Sequence, residues 1–291
     1  MDRRHLLASF AGAGLLGTGA ALWALPASRP AATASRARWV SLSPAITETA
    51  FAMEVTNTLV GRSTWCQLPP IVGRLPPAGT SLEPDLEALA ALAPTGVLVE
   101  ASRGAQIDRI SQIAPVESLA WETVEDVQAS VARLGTLLGA PDRAAHVAQV
   151  FDRALVAAPP AGGARVLLAM AGDDLGRGPL WFIKRNSLHG AAAHAAGLRN
   201  AVMEDVSGLP QLSLERLLAI NPHAILVLSA ETLDDAARDR LRHAFDALTP
   251  LAAATMGRVA VIDGPTVLST GPSIATLPKR LRAAIGQMGL G

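Results

Sequence analysis

Apolar residues gather along the chain in two kinds of run. Short unbroken runs recur as "RWVSLS" (38–43), "NTLVGRS" (57–63), "GVLV" (96–99), "ARVLLAM" (164–170), "AILVL" (224–228) and "RVAVI" (258–262). Runs of this length and composition predict buried strands. Between them lie stretches with apolar residues three and four apart, such as "PAITETAFAM", "PDLEALAALAP", "TVEDVQASVARLGTLLG", "SLHGAAAHAAG" and "ETLDDAARDRLRHAFDAL". That spacing predicts amphipathic helices. Strand and helix alternate, so the expected fold class is α/β, with parallel sheets covered by helices.

The alternation pauses once. "DRAAHVAQVFDRALVAA" (142–158) is helical with no strand before it, and "PPAGG" closes it. The expected organisation is an N-terminal lobe at 38–141, a bridging helix at 142–160 and a C-terminal lobe at 164–291. The two lobes share an internal repeat: "PDLEALAALAPTGVLV" (84–99) aligns with "LSLERLLAINPHAILV" (212–227). Glu87 falls on Glu215, Pro94 on Pro222, and Leu98–Val99 on Leu226–Val227. The expected architecture is two related Rossmann-like lobes with a ligand cleft between them.

In open parallel sheets, ligands bind beyond the carboxyl ends of the strands. The loops expected there nominate Ser43, Trp65, Ser81 and Arg103 from the first lobe. From the second they nominate Arg177, Trp181, Leu209 and Thr266. Trp65 and Trp181 offer flat apolar faces, and Trp121 is expected to pack between helix and strand instead. Lys184 and Arg185 are further sources of positive charge, or simply solvated surface.

Composition narrows the chemistry. Across 291 residues the formal charge is zero, which argues against nucleic-acid binding driven by bulk charge. The one cysteine, Cys66, can form no internal disulfide. Its expected role is a small apolar side chain. No nucleophile elbow, zinc-protease helix or phosphate loop is present, so no catalytic residue is assigned. Tyrosine is absent, which removes tyrosinate as an iron ligand, and no histidine lies between 38 and 145. No intrinsic metal site or cofactor is expected; a metal would arrive inside a chelator.

The N-terminus reads differently from the rest. Arg3 and Arg4 precede an uncharged Gly/Ala-rich run that Pro26 closes, with Ala32 and Ala34 as small residues for cleavage. Residues 1–34 are expected to be an export signal of twin-arginine type. The alternative is an uncleaved membrane anchor. "GAGLLG" (12–17) matches a dinucleotide fingerprint, but no strand precedes it. With no cysteine near the cleavage site, the expected product is soluble outside the cytoplasmic membrane, a monomer and not a lipoprotein.

The segments "RWVSLSPAITETAFAM", "LVGRSTWCQLPP", "GTSLEPDLEALAALAPTGVLVEAS" and "KRNSLHGAAAHAAG", in this order, resemble the periplasmic binding proteins that feed iron-chelate and cobalamin ABC importers. The resemblance runs from Arg38 to the C-terminus. It implies two α/β lobes bridged by one long helix, little hinge motion, and a metal chelate captured in the cleft. A ferric siderophore is the first expectation, cobalamin or haem the alternative, and an exported enzyme using the same cleft the reading from another class. The resemblance also implies an ABC permease and its ATPase as partners, docked through Glu87 and Glu215. Ser81 stands where hydroxamate binders carry an arginine.

Overall fold

The computed structural model describes residues 37–102, 104–159, 163–171, 180–206 and 209–290. The expected export signal, Arg103 and Arg177 lie outside the described residues.

The first sheet contains β1 (Trp39–Ser41), β2 (Leu59–Arg62), β3 (Gly96–Glu100) and β4 (Val116–Leu119). All neighbours are parallel, in the order β2-β1-β3-β4. Parallel neighbours need crossovers, which carry α1 (Pro44–Ala52), α2 (Leu86–Ala91) and α3 (Ile107–Ser111). Ser43 caps α1 by accepting from the Ile46 N–H, and Pro44 opens its first turn, where a missing N–H costs nothing. A helical hairpin of α4 (Val124–Leu137) and α5 (Pro141–Ala154) follows. A full capping box between Thr123 and Asp126 starts α4.

The second sheet is built from β5 (Arg165–Met170), β7 (Arg199–Asn200), β9 (Ala224–Ser229) and β10 (Val259–Asp263), all parallel. A two-residue ribbon pairs β6 (Leu180–Trp181) with β8 (Gln211–Leu212) in antiparallel fashion. The helices are α6 (Leu188–Ala195), α7 (Leu214–Ile220), α8 (Asp235–Asp246), α9 (Ala252–Thr255) and α10 (Leu277–Gln287). The order is β10-β9-β5-β7. With the ribbon set aside, the second strand of each lobe lies on one side of the first, and the third and fourth lie on the other. The two sheets therefore share one topology, and the repeated strands β3 and β9 occupy its third position.

The repeat extends to the backbone. Asp85 caps α2 through the Ala88 N–H, and Ser213 caps α7 through the Arg216 N–H. Both helices end on a left-handed residue, Ala93 and Asn221, each at φ 43°. Each is followed by a proline, which cannot continue a helix.

Three apolar cores hold the fold. One packs the outer face of the first sheet around Val40, Leu89, Val97 and Val99. A second packs the outer face of the second sheet around Phe182, Leu217, Ile225 and Val227. The third runs through both lobes, from Ile46, Leu98 and Leu134 through Phe151 on α5 to Leu168, Leu226, Ile274 and Leu281. Both sheets accordingly belong to one compact unit. Helix α5 stops at Ala154, short of the expected stretch to 158. Leu155 turns inward to the shared core, and Ala158 precedes proline, which disfavours helical backbone.

Candidate functional site

In each sheet the connections lead to opposite sides of the first strand, so the strand order diverges between the first and third strands. That switch point opens a crevice at the carboxyl ends. In the first lobe the crevice lies between β1, which leads to Ser43, and β3, which ends at Glu100. Ser43 Oγ donates to Glu100 Oε2 at 2.9 Å. Burial pushes the Glu100 carboxyl above its ordinary range, against the opposing effect of the Ser43 bond. Its other oxygen, Oε1, has no hydrogen-bond partner among the described residues. In the second lobe the corresponding crevice lies between Met170 on β5 and Ser229 on β9.

The candidate residues occupy varied settings. Trp65 follows β2 and is 58% exposed, Trp181 is 39% exposed, and Leu209 is 71% exposed. Trp65 and Leu209 stand in solvent outside the strands. Trp181 is not in a loop: it lies on β6 of the β6–β8 ribbon, paired with Gln211. Thr266 is half-buried in the segment after β10. Ser43 and Ser81 are buried, and the Ser43 hydroxyl is already engaged as helix cap and donor. Lys184 pairs with Glu122, and Arg185 pairs with Asp205 at 2.8 Å. Those two cations are therefore neutralised by carboxylates. Cys66 is buried against Thr47 Oγ at 3.2 Å, and desolvation pushes its thiol up.

Beneath the crevices the lobes are stitched together. Trp121 is buried, but between lobes: its indole N–H donates to the Thr270 carbonyl at 2.9 Å. Glu48, on α1, accepts from Ser269 Oγ at 2.7 Å and from the Ser273 N–H at 2.6 Å. The Leu188 N–H donates to the Glu122 carbonyl at 3.0 Å. Segments that follow strands of both sheets therefore meet. Sequence reasoning missed Glu48 and Glu100. Glu100 carried a signal, as the single charge closing the apolar run "GVLVE" at a strand's carboxyl end.

Along α6 and the edge strand β7 lies a separate groove of about 660 Å³, lined by Thr123, Arg185, His194, Arg199 and Met203 among others. Of the candidate residues it contains only Arg185, which is paired there with Asp205. Among the described residues no three His, Cys, Asp or Glu side chains converge as metal ligands, and no helix is long and apolar enough to cross a membrane. Of the histidines, His189 is buried beside the Val267 carbonyl, and His223 accepts from the Arg165 N–H at the start of β5. His146 and His243 lie on α5 and α8, and His194 is exposed on α6. None of these five stands at a strand's carboxyl end.

The profile described as "periplasmic binding protein" matches residues 40–266. The vitamin B12-binding protein of Salmonella typhi is 30% identical over 216 residues, covering 71% of this chain and 78% of that protein. A periplasmic heme binding protein from Pseudomonas aeruginosa superposes with a TM-score of 0.67 at 27% identity, covering 85% of this chain and 91% of that one. The periplasmic vitamin B12 binding protein of Vibrio cholerae shares the fold, with a TM-score of 0.67 at 15% identity, covering 87% and 97%.

Proposed function

From the premise that this chain belongs to the periplasmic binding protein family, we propose that it is the substrate-binding protein of an ABC importer, works in the periplasm, and carries a corrinoid. The likeness to vitamin B12-binding proteins carries this reading. The chemistry of the cleft supports it. Among haem ligands of the kind proteins supply, the chain has no tyrosine and no described imidazole at a strand end, which leaves the thioether of Met170 at the end of β5. A cobalamin brings its own cobalt ligands and asks the protein for shape, apolar contact and hydrogen bonds. Exposed indoles at Trp65 and Trp181 supply flat contact area, and Glu100 supplies an acceptor for amide N–H groups on the corrin rim.

The role is capture and delivery to a membrane permease, not catalysis. A ferric siderophore is the second reading, favoured by Arg103 and Arg177, whose charge suits an anionic ligand.

Titration of the purified protein with cyanocobalamin, hemin and a ferric hydroxamate, followed by calorimetry and tryptophan fluorescence, tests these readings together. Saturable binding of cyanocobalamin is expected. The double replacement Trp65→Ala/Trp181→Ala should weaken it by about ten-fold or more. Arg103→Ala and Arg177→Ala should leave it unchanged. Binding of the hydroxamate alone, weakened by either arginine replacement, rejects the corrinoid assignment.

A further inference from the structure

Among the described residues Glu48 makes two of the bonds that join the lobes, beside the Trp121–Thr270 bond and the Lys184–Glu122 ion pair. Glu48 belongs to the first lobe and is 9% exposed. Both of its carboxylate oxygens are taken by the second: Oε2 by Ser269 Oγ at 2.7 Å, Oε1 by the Ser273 N–H at 2.6 Å. Ser269 Oγ in turn accepts from the Gly271 N–H at 3.0 Å. Gly271 presses so closely on Glu48 that a Cβ there would overlap the carboxylate. Trp121 grips Thr270 from the first lobe, and His189 contacts the Val267 carbonyl from the second. The strap at 264–273 is thus fixed at several points, and among the described residues only Glu48 engages it with a charged group through two directed bonds.

The position of this clamp matters. The strap leaves β10 at Gly264 and carries Thr266 before reaching Ser269. Helix α1 starts at Ser43, which is bonded to Glu100. One end of the clamp is therefore rigidly tied to the first-lobe crevice, and the other to the second-lobe segment facing it. We propose that Glu48 is a positioning residue that fixes the width of the inter-lobe cleft, and so the thickness of ligand it accepts. This rests on the reading of the cleft as the ligand site. A carboxylate with two donors makes short, directional, charge-assisted bonds. Apolar packing beneath it resists separation of the lobes but does not set their angle, because the hydrophobic effect is non-directional.

The side chain's reach separates positioning from mere charge. In Glu48→Gln, Oε1 still accepts from the Ser273 N–H, and the amide nitrogen donates to Ser269 Oγ. Glu48→Asp keeps the charge and loses the reach. Glu48→Ala loses both. Gly271→Ala keeps the carboxylate and displaces it.

The test places spin labels on exposed positions of the two lobes, through Gln112→Cys and Arg240→Cys; the buried Cys66 thiol stays unlabelled. Distance distributions are measured without ligand, and cyanocobalamin dissociation is measured in parallel. A narrow distribution is expected for the parent and for Glu48→Gln. Broader or shifted distributions are expected for Glu48→Asp, Glu48→Ala and Gly271→Ala, with dissociation about ten-fold faster. If Glu48→Ala does not fold, Glu48→Asp and Gly271→Ala carry the same comparison. Distributions unchanged from the parent in the folded variants overturn the clamp. Failure of the parent to bind cyanocobalamin rejects the ligand assignment alone, because the distances are read without it.

Discussion

Half-buried Glu100 and buried His189 are single groups whose surroundings oppose their charge. Glu100 sits where burial disfavours the charged form of its carboxyl. Its carboxyl lies above the usual range because burial outweighs the Ser43 bond, so ionisation at neutral pH costs folding free energy. Glu100→Gln keeps a partner for Ser43 and removes that cost. It should raise the thermal midpoint at pH 7 while weakening cyanocobalamin, because the amide is a poorer acceptor for ligand N–H groups. A variant that is both more stable and equally tight would show that the carboxylate serves the fold alone. His189 works the other way. Burial lowers it to about 4 from 6.5, so the folded protein holds it neutral while the unfolded chain takes up a proton. Stability from this group is complete above pH 6.5 and is lost as pH falls toward 4, by up to about 3 kcal/mol. Urea midpoints at pH 7 and pH 4.5 should therefore differ less in His189→Gln than in the parent. Neither group is conspicuous in the sequence. A glutamate after an apolar run is common, and a histidine on an Ala-rich helix gives no sign of whether a strap covers it.

At the scale of elements, what the chain repeats is what it makes legible. Each copy of the helix–proline–strand unit is written locally: a capping side chain at Asp85 or Ser213, a proline to stop the helix, and an apolar run long enough for a central strand. The less legible elements depend on neighbours. β4 is broken in sequence by Glu117 and Ser118 and forms only because β3 offers a free edge. β6, β7 and β8 have two residues each and carry no periodicity to detect. The repeat also places Glu87 and Glu215 at the second position of their helices, both exposed. Helix-dipole complementarity alone makes each worth about 0.3–1 kcal/mol. We propose the further role that the family resemblance implies, docking on cationic groups of a permease, where two separated charges fix orientation as well as attraction. Glu87→Arg/Glu215→Arg should then bind cyanocobalamin normally in solution and fail to support uptake into vesicles holding the permease and ATPase. Normal uptake by the folded double variant would leave only the dipole role.

At the scale of the whole molecule, two sheets of the same topology do not make two independent folding units. Their outer faces have private cores, but their inner faces share one, and α5 runs through it. Phe151, wholly buried on α5, stands among side chains from both lobes. The first lobe alone would expose Ile46, Leu98 and Leu134 to water, and the second alone would expose Leu168, Leu226 and Ile274. At about 25 cal/mol for each Å² of apolar surface, uncovering that face is a large penalty against the few kcal/mol of net stability a domain holds. The expectation is one cooperative transition across both lobes. Phe151→Ala provides the sharper form of the prediction. It should cost about 3–5 kcal/mol, and amide exchange should accelerate equally in β3 and β9, although these strands lie in different sheets. A denaturation curve with two separated steps would show that the private cores suffice to hold each lobe alone. So would exchange that accelerates in one lobe while the other keeps its protection. In that case the rigidity required by the Glu48 clamp would have to come from the clamp's own bonds and not from the core beneath it.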